Sequence, residues 1–277
     1  MKKTIACIIA RTNSTRLKKK VLINIKNKML IEHIINKLKK ARNIDEIYLC
    51  TSIDPDDEIL LKIAEKNKIK SYAGSRDVIV DRMLNVAKIE NATDLVRVTG
   101  DNIYCDEIFI DKMIELHNKY NADYTRTAKL PIGVTAEIFS VNGLKNMYNN
   151  IDPKQSEYLT YYVFFRKNNL KILVLIPPKM FQKPFYSLTV DTPEDLERTL
   201  FIVDNIDNPK SIYLDDIIAL HERNPIPFLE VDKNLVIKFP DNMKKSYSDY
   251  LIELEEKYKN CIIVELEEDF YEKNKIK

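Results

Sequence analysis

The chain predicts an α/β fold, a mainly parallel sheet flanked by helices with a small C-terminal appendage, and three observations carry that prediction. Short apolar-rich runs recur at residues 5–10, 47–51 and 95–99, with little of the alternation that marks a half-exposed strand, as befits strands covered on both faces. Between them lie segments whose apolar residues return at helical spacing. Glycines stand just past strand-like runs at Gly74 and Gly100, where a chain leaving a sheet has to turn. Strands alternating with helices give βαβ units with right-handed crossovers.

Taken in order, residues 5–10 form the first strand, and apolar positions 30, 31, 34, 35 and 38 give a helix over 29–40 with one buried face. Residues 47–51 are the second strand. Asp54 followed by Pro55 predicts an N-cap and first helical position, ahead of a stripe at Ile59, Leu60, Ile63 and Ala64. Residues 69–73 form the third strand, 77–89 a helix and 95–99 the fourth strand; Asp106 opens the next helix. Beyond residue 122 the pattern loosens. Strands are predicted at 122–126, 134–140, 170–176 and 185–190, and helices at 141–149 and 155–167. Thr192 caps a helix that begins at Pro193, with Asp195 as a weaker capping-box partner than Glu or Gln. A helix over 213–222 is followed by Asn224-Pro225-Ile226-Pro227, which breaks the pattern. This organisation divides into a domain at 1–225 and an extension at 226–277, with a tyrosine-bearing helical stripe (Tyr247, Tyr250, Leu251, Leu254, Tyr258), a short strand at 261–264 and a charged tail.

Composition excludes several classes. A net charge of +2 with 31% charged residues lacks the basic excess of a general nucleic-acid binder. No apolar run approaches the roughly 20 residues needed to span a bilayer. The apolar part of the N-terminus is too short for a signal peptide's hydrophobic region. Cys7, Cys50, Cys105 and Cys261 are far apart and show neither ligand spacing nor a disulfide framework. Cys7 and Cys50 read as small core residues, and a cytoplasmic protein fits. His33, His117 and His221 all fall in helix-like segments, so a histidine relay has no support.

Residues 11–20 hold five cations, Arg11, Arg16, Lys18, Lys19 and Lys20, beside small polar side chains. They cannot all be buried unpaired. In an α/β sheet the carboxyl end of a strand is where ligands bind, and a cation-dense loop there suits a polyanion such as a nucleoside triphosphate. On charge alone, a solvated basic loop explains the same residues equally well.

Order and residue type decide between them. Ala10-Arg11-x-x-Ser14-Thr15-Arg16-Leu17-x-x-Lys20-Val21-Leu22 resembles the signature loop of cytidylyltransferases that activate sugars. These include enzymes making CMP-linked acidic sugars and, most closely, the spore-coat polysaccharide type. Gly74-Ser75-x-Asp77-Val78-x-x-Asp81-Arg82, Arg97-Val98-Thr99-Gly100-Asp101 and Val190-Asp191-Thr192-Pro193-Glu194-Asp195-Leu196-Glu197 recur in the family's order over residues 4–225. The resemblance implies a Rossmann-like nucleotidyltransferase sheet of the glycosyltransferase A-like kind and transfer of CMP from CTP with release of pyrophosphate.

It also implies roles. Asp101 and Asp191 each follow a β run and are the candidates to hold magnesium, which prefers carboxylate, phosphate and water oxygens; Asp191 read alone serves equally as a helix cap. Arg11 and Lys20 map onto triphosphate-contacting positions, with Arg16 beside them, and Ser14 and Gly100 belong to the same nucleotide-binding blocks. Ala10, Arg11, Gly74 and Ser75 fall where the family recognises cytosine, and Asp81 and Arg82 follow in that block. Gly133, Glu137, Glu157 and Tyr158 align with acceptor-side segments. The chain departs from the family in having Lys18-Lys19 where Pro-Gly is usual, Tyr158 where His is more frequent, and Asn102-Ile103 after the Gly-Asp pair. An acidic keto-sugar is the first acceptor expected; a sugar phosphate or phospho-alcohol giving a CDP product is the alternative. A nucleotide-sugar glycosyltransferase lacks support because no DxD follows the fourth strand, and a non-catalytic nucleotide-binding module would not need the intact Asp101, Asp191, Arg11 and Lys20. The aromatic composition of 124–165 leads to the expectation of a homodimer.

Overall fold

The structure, a computed structural model, describes residues 2–152, 158–206 and 212–275. In chain order its elements are β1 (Thr4–Ile9), a 3-10 turn (Lys20–Leu22), β2 (Asn24–Ile25), β3 (Lys28–Met29), α1 (Leu30–Leu38), β4 (Glu46–Ser52), α2 (Glu58–Lys66), β5 (Lys70–Gly74), α3 (Ile79–Glu90), β6 (Asp94–Thr99) and α4 (Glu107–Tyr120). There follow β7 (Tyr124–Thr127), β8 (Glu137–Ser140), α5 (Val141–Tyr148), α6 (Leu159–Phe165), β9 (Ile172–Ile176), α7 (Pro193–Asn205), α8 (Leu214–Arg223), β10 (Val236–Lys238), β11 (Lys244–Ser246), α9 (Tyr247–Tyr258), β12 (Ile262–Glu265) and α10 (Phe270–Lys275).

An eight-stranded sheet in the order β12-β9-β7-β8-β6-β1-β4-β5 organises the chain. Only β8 runs antiparallel to its neighbours; the other pairings are parallel. All six residues of β1 are buried. Ala6 and Ile8 face one core with α1, α2, α4, α7 and α8. Ile5, Cys7 and Ile9 face a second core with α3, α5 and α6. This double burial is why β1 reads as an unbroken apolar run. Cys7, Cys50 and Cys105 are buried and all four cysteines are free. Among the described residues, no helix is long and apolar enough to cross a membrane.

Several expectations change on the page of the structure. Asp54 does not cap: a 3-10 turn at Pro55–Asp57 precedes α2, and the Asp54 carboxylate faces Arg76 at 3.5 Å instead. Asp57 is the carboxylate that is used, as shown below. The stretch 185–190 is not a strand. It is extended, but Ser187 bonds to Leu229 and Leu188 to Ile132, so it bridges two loops; both edges of β8 are already occupied by β6 and β7. Asp195 proves a full capping-box partner, accepting from the Thr192 amide at 2.9 Å while Thr192 accepts from Asp195.

The aromatic residues of 124–165 are consumed by the chain's own core. Tyr124, Phe139, Tyr161, Tyr162 and Phe164 are all buried, so much of that aromatic composition records packing within the protomer. The predicted helix over 155–167 begins at Leu159, and its first residues lie outside the described ones. Near the C-terminus, β12 forms the sheet's outer edge against β9. The expected charged tail is helical: Phe270 and Tyr271 are buried, and Tyr271 packs on Phe181 at 4.4 Å between ring centroids and donates to the Asp106 carboxylate. Two aromatic side chains offer more apolar area for burial than the flanking charges, which stay at the surface, oppose.

Candidate active site

The loop after β1 is pinned from below. The Thr12 amide and hydroxyl both donate to Asp57 Oδ1 at 2.7 Å, and Ser52 at the end of β4 donates to Asp57 Oδ2 at 2.5 Å. Burial raises the Asp57 carboxyl, but these donors outweigh it and hold it below the usual range. Gly100 allows the adjacent strand ends to close up: a Cβ there would stand 2.8 Å from Ala10 Cβ, and its amide donates to the Ile9 carbonyl at 2.8 Å. A larger residue would wedge β1 from β6 at their carboxyl ends.

Asp101 and Asp191, far apart in sequence, arrive together because the Val190 amide donates to the Asp101 carbonyl at 3.0 Å. One ammonium joins their side chains. Lys20 Nζ lies 2.8 Å from Asp101 Oδ2 and 2.9 Å from Asp191 Oδ1, so the two carboxylates are no farther apart than those distances together allow. Arg16 closes on the other oxygen of Asp191. Burial alone would lower the Lys20 ammonium, yet the two aspartates hold it above the usual lysine range. Asp191 is not a helix cap; Thr192 fills that role, and the Asp191 amide donates to Asp195 at 2.8 Å, which turns its own carboxylate outward.

Where the family usually has Pro-Gly, Lys19 takes the left-handed backbone (φ 51°, ψ 33°). That region suits glycine and costs other residues about 1–2 kcal/mol. The turn before Lys20 is thus made with a lysine in the left-handed region.

On the other side of β1, Arg11 donates to the Arg76 carbonyl at 3.1 Å and lies 3.9 Å from Asp77. This draws the first loop against the segment that follows Gly74. Ser75 accepts from the Val78 amide at 3.2 Å, which shapes the entry to α3. Arg82 is buried beneath this corner, donates to the Cys50 carbonyl at 3.2 Å and leaves its Nε without a partner. Asp81 accepts from the Tyr148 hydroxyl at 2.6 Å, so it braces α3 against α5. Ser14 is half-buried on the cation-bearing loop.

Of the expected acceptor residues among the described ones, Gly133 lines a cavity beside Asp101, whereas Glu137 and Tyr158 lie apart from it. Gly133 (φ 89°) packs so tightly on Thr189 that a Cβ would come within 2.6 Å of its amide. Glu137 is buried and fully engaged: Arg97, the Tyr124 hydroxyl (2.7 Å) and the Thr160 hydroxyl (2.7 Å) occupy its oxygens. Burial raises the Glu137 carboxyl, and Arg97 with these donors brings it below the usual range. Tyr158 stands at the start of α6, packed on the second core, and Glu157 lies outside the described residues.

A cavity of about 440 Å³ does open beside Asp101. Asn102, Arg126, Lys129, Tyr247, Tyr250 and Tyr258 are among its walls. Sequence reasoning missed Arg126, although a lone cation in the strand Tyr124–Thr127 is a visible signal. It found the α9 tyrosines without placing them at the site.

A parallel sheet whose carboxyl edge gathers two aspartates, a lysine and two arginines beside an open cavity defines a nucleotidyltransferase. The chain belongs to the cytidylyltransferase family, whose model matches residues 5–235. It is 32% identical over 237 residues to the uncharacterized protein MJ1063 of Methanocaldococcus jannaschii, covering 85% of this chain and 93% of that one. The spore coat polysaccharide biosynthesis protein SpsF of Bacillus subtilis is 27% identical over 224 residues, covering 79% and 93%. A 3-deoxy-manno-octulosonate cytidylyltransferase of Thermodesulfovibrio yellowstonii is 26% identical over 184 residues, covering 60% and 70%. Among solved structures, a cytidylyltransferase from Leptospira borgpetersenii shares the fold with a TM-score of 0.76 at 24% identity, over 84% of this chain and 99% of that one.

Proposed function

We propose that the enzyme transfers CMP from CTP to the anomeric hydroxyl of a 2-keto sugar acid and releases pyrophosphate, supplying an activated sugar for a surface polysaccharide. The observation that carries this is the convergence of Asp101 and Asp191 on the Lys20 ammonium, with Arg16 beside them. The acceptor oxygen attacks the α-phosphorus, the bond from that phosphorus to the bridging oxygen breaks, and the hydroxyl proton passes to solvent. Such a transfer asks the protein for charge neutralisation and alignment rather than for a covalent intermediate.

Lys20 and Arg16 neutralise the leaving pyrophosphate, and Arg11 lends its fork of donors to the phosphates. Ala10, Gly74 and Ser75 frame the base in the corner that Arg11 closes, with Arg82 supporting it from beneath. The two carboxylates fit a hard cation. Each presents oxygen, both open on one edge, and a positive charge already sits between them. Asp101 and Asp191 would hold magnesium, which when bound offsets charge on the phosphate oxygens.

A phosphorylated sugar or alcohol giving a CDP product is the second reading, favoured by the cations Arg126 and Lys129 in the cavity. Support for sugar activation comes from the relatives just described. The test is pyrophosphate release from each nucleoside triphosphate, with magnesium, across sugar acids and sugar phosphates. CTP is expected to serve best; equal use of all four nucleotides would remove the cytidine reading.

A further inference from the structure

Arg126 rises from β7 into the cavity beside Asp101, where it shares a hydrogen bond with Tyr250 and feels the Glu137 charge without pairing with it directly. Its Nε and Nη1 are buried and have no hydrogen-bond partner. Among the described residues, no carboxylate lies within ion-pair distance of it. Glu137, the carboxylate of the neighbouring strand, is fully engaged by Arg97, Tyr124 and Thr160. The Phe164 ring lies under the guanidinium at 5.9 Å. The hydroxyls around it belong to Tyr124, Tyr250 and Tyr258, and burial raises all three phenols, so they stay neutral and cannot balance it. A guanidinium does not shed its proton, and two of its nitrogens buried without hydrogen-bond partners are costly. An anion entering the cavity removes that cost.

The wall facing Arg126 comes from α9. Tyr247, Tyr250, Leu254 and Tyr258 line the same cavity, giving rings with polar tips. The helix is fixed in place: Tyr247 donates to the Pro184 carbonyl at 2.7 Å, Phe165 stacks on Tyr250 at 5.9 Å, and Glu255 meets Lys129 across the cavity at 3.4 Å. All of α9 lies beyond residue 235, where the family match ends.

We propose that this cavity is the acceptor site, that Arg126 binds an anionic group of the acceptor, a carboxylate or a phosphate, and that α9 supplies the wall that selects the rest of the molecule. The proposal rests on the cytidylyltransferase reading and deepens it. Nucleotide handling and the anion contact at Arg126 come from the segment shared with the family, and the wall that selects the rest of the acceptor from a helix outside it.

The test uses the full chain with saturating CTP and magnesium. Pyrophosphate release is followed with a 2-keto-3-deoxy sugar acid against its methyl ester, and with glycerol 3-phosphate against glycerol. The anionic member of one pair is expected to saturate at a concentration at least tenfold lower than its uncharged counterpart, and which pair responds tells carboxylate from phosphate. Arg126→Met is expected to raise the acceptor KM at least thirtyfold with the CTP KM within threefold, and Arg126→Lys to recover part of the loss. Tyr250→Phe, a gentler change should Arg126→Met fail to fold, is expected to raise the acceptor KM severalfold and leave CTP untouched. Equal use of charged and uncharged members, use of neither anion by a protein that binds CTP, or parallel changes in the two KM values would overturn the proposal. Absence of CTP binding, read by thermal shift without acceptor, would instead overturn the reading on which it rests.

Discussion

Arg97 and Asp101 leave the same strand, β6, yet enter charge clusters of opposite character. Arg97 joins Glu137, Tyr124 and Thr160 in a buried network where every carboxylate oxygen has a partner on a neighbouring element. Asp101 joins Asp191, Lys20 and Arg16 at the open carboxyl edge, where two anions share one ammonium delivered by a loop. Both clusters pair carboxylates with cations; what differs is whether the partners can be exchanged. Partners fixed on β6, β7 and α6 cannot leave Glu137, so it holds β8 to these elements. A loop-borne lysine can turn toward phosphates while a cation takes over the aspartates. A charged residue at a family position is thus read for function by what its partners are free to do.

The largest expected effect falls on the open cluster. Asp101→Asn and Asp191→Asn are each expected to slow CTP turnover by about 1,000-fold, on the order of 4 kcal/mol in the transition state. The double variant should be little worse than either, since each disables the same cation site. Additive losses in pyrophosphate release would show two independent roles.

Glu137→Gln should do the reverse, harming the fold more than the chemistry. Removing one partner from a buried ion pair costs about 3 kcal/mol, to be read in denaturant unfolding, with kcat for the surviving folded protein within a fewfold. The Glu137 carboxyl is held below its usual range. Its stabilisation is therefore complete above the unfolded-state pKa and lost as pH falls through the folded one. The gap between wild type and variant should be widest near neutrality and close in acid; a gap that widens in acid would mean the charge is not what matters.

Lys20→Ala is expected to cost about 1.5–3 kcal/mol in kcat/KM for CTP, and Lys18→Ala far less, because Lys18 is exposed. Lys20 is held above its usual range, so its charge persists until the pH passes the ordinary lysine pKa, and the ratio of the two rates should stay flat from about pH 6 to 9. A stronger loss at Lys18 would relocate the phosphate contact.

The smallest effect concerns backbone. Lys19→Gly relieves the left-handed conformation and should keep turnover within about twofold, while Lys19→Val should lose about 1–2 kcal/mol of stability, because a β-branched residue tolerates φ 51° poorly. Equal behaviour of the two would show that the turn can relax.

How much of this was legible follows from range. The first strand, the helix over 29–40, the Asp106 cap and the four motif blocks are local patterns, and each is found where its sequence places it. The pairing of Asp101 with Asp191 was legible from the motif blocks, although Asp191 follows a bridging segment rather than a sheet strand and is brought in by the Val190–Asp101 hydrogen bond. Features set by distant packing were not legible. Asp57 rather than Asp54 anchors the first loop because Thr12 reaches it from another strand. The residues at 185–190 bridge two loops, near Ile132 and Leu229, instead of joining the sheet. The tyrosines of α9 gave a clear helical stripe, but nothing local says that they face Arg126.

The central claim is that Asp101 and Asp191 act as one cation-holding pair, and the melting temperature of the CTP-bound protein across a magnesium titration tests it most directly. A ligand bound to the folded state raises that temperature by mass action. In the wild type the CTP shift should grow with magnesium, and in both Asp101→Asn and Asp191→Asn that increment should vanish while a shift from CTP alone survives. A magnesium increment unchanged in either variant would contradict the pair.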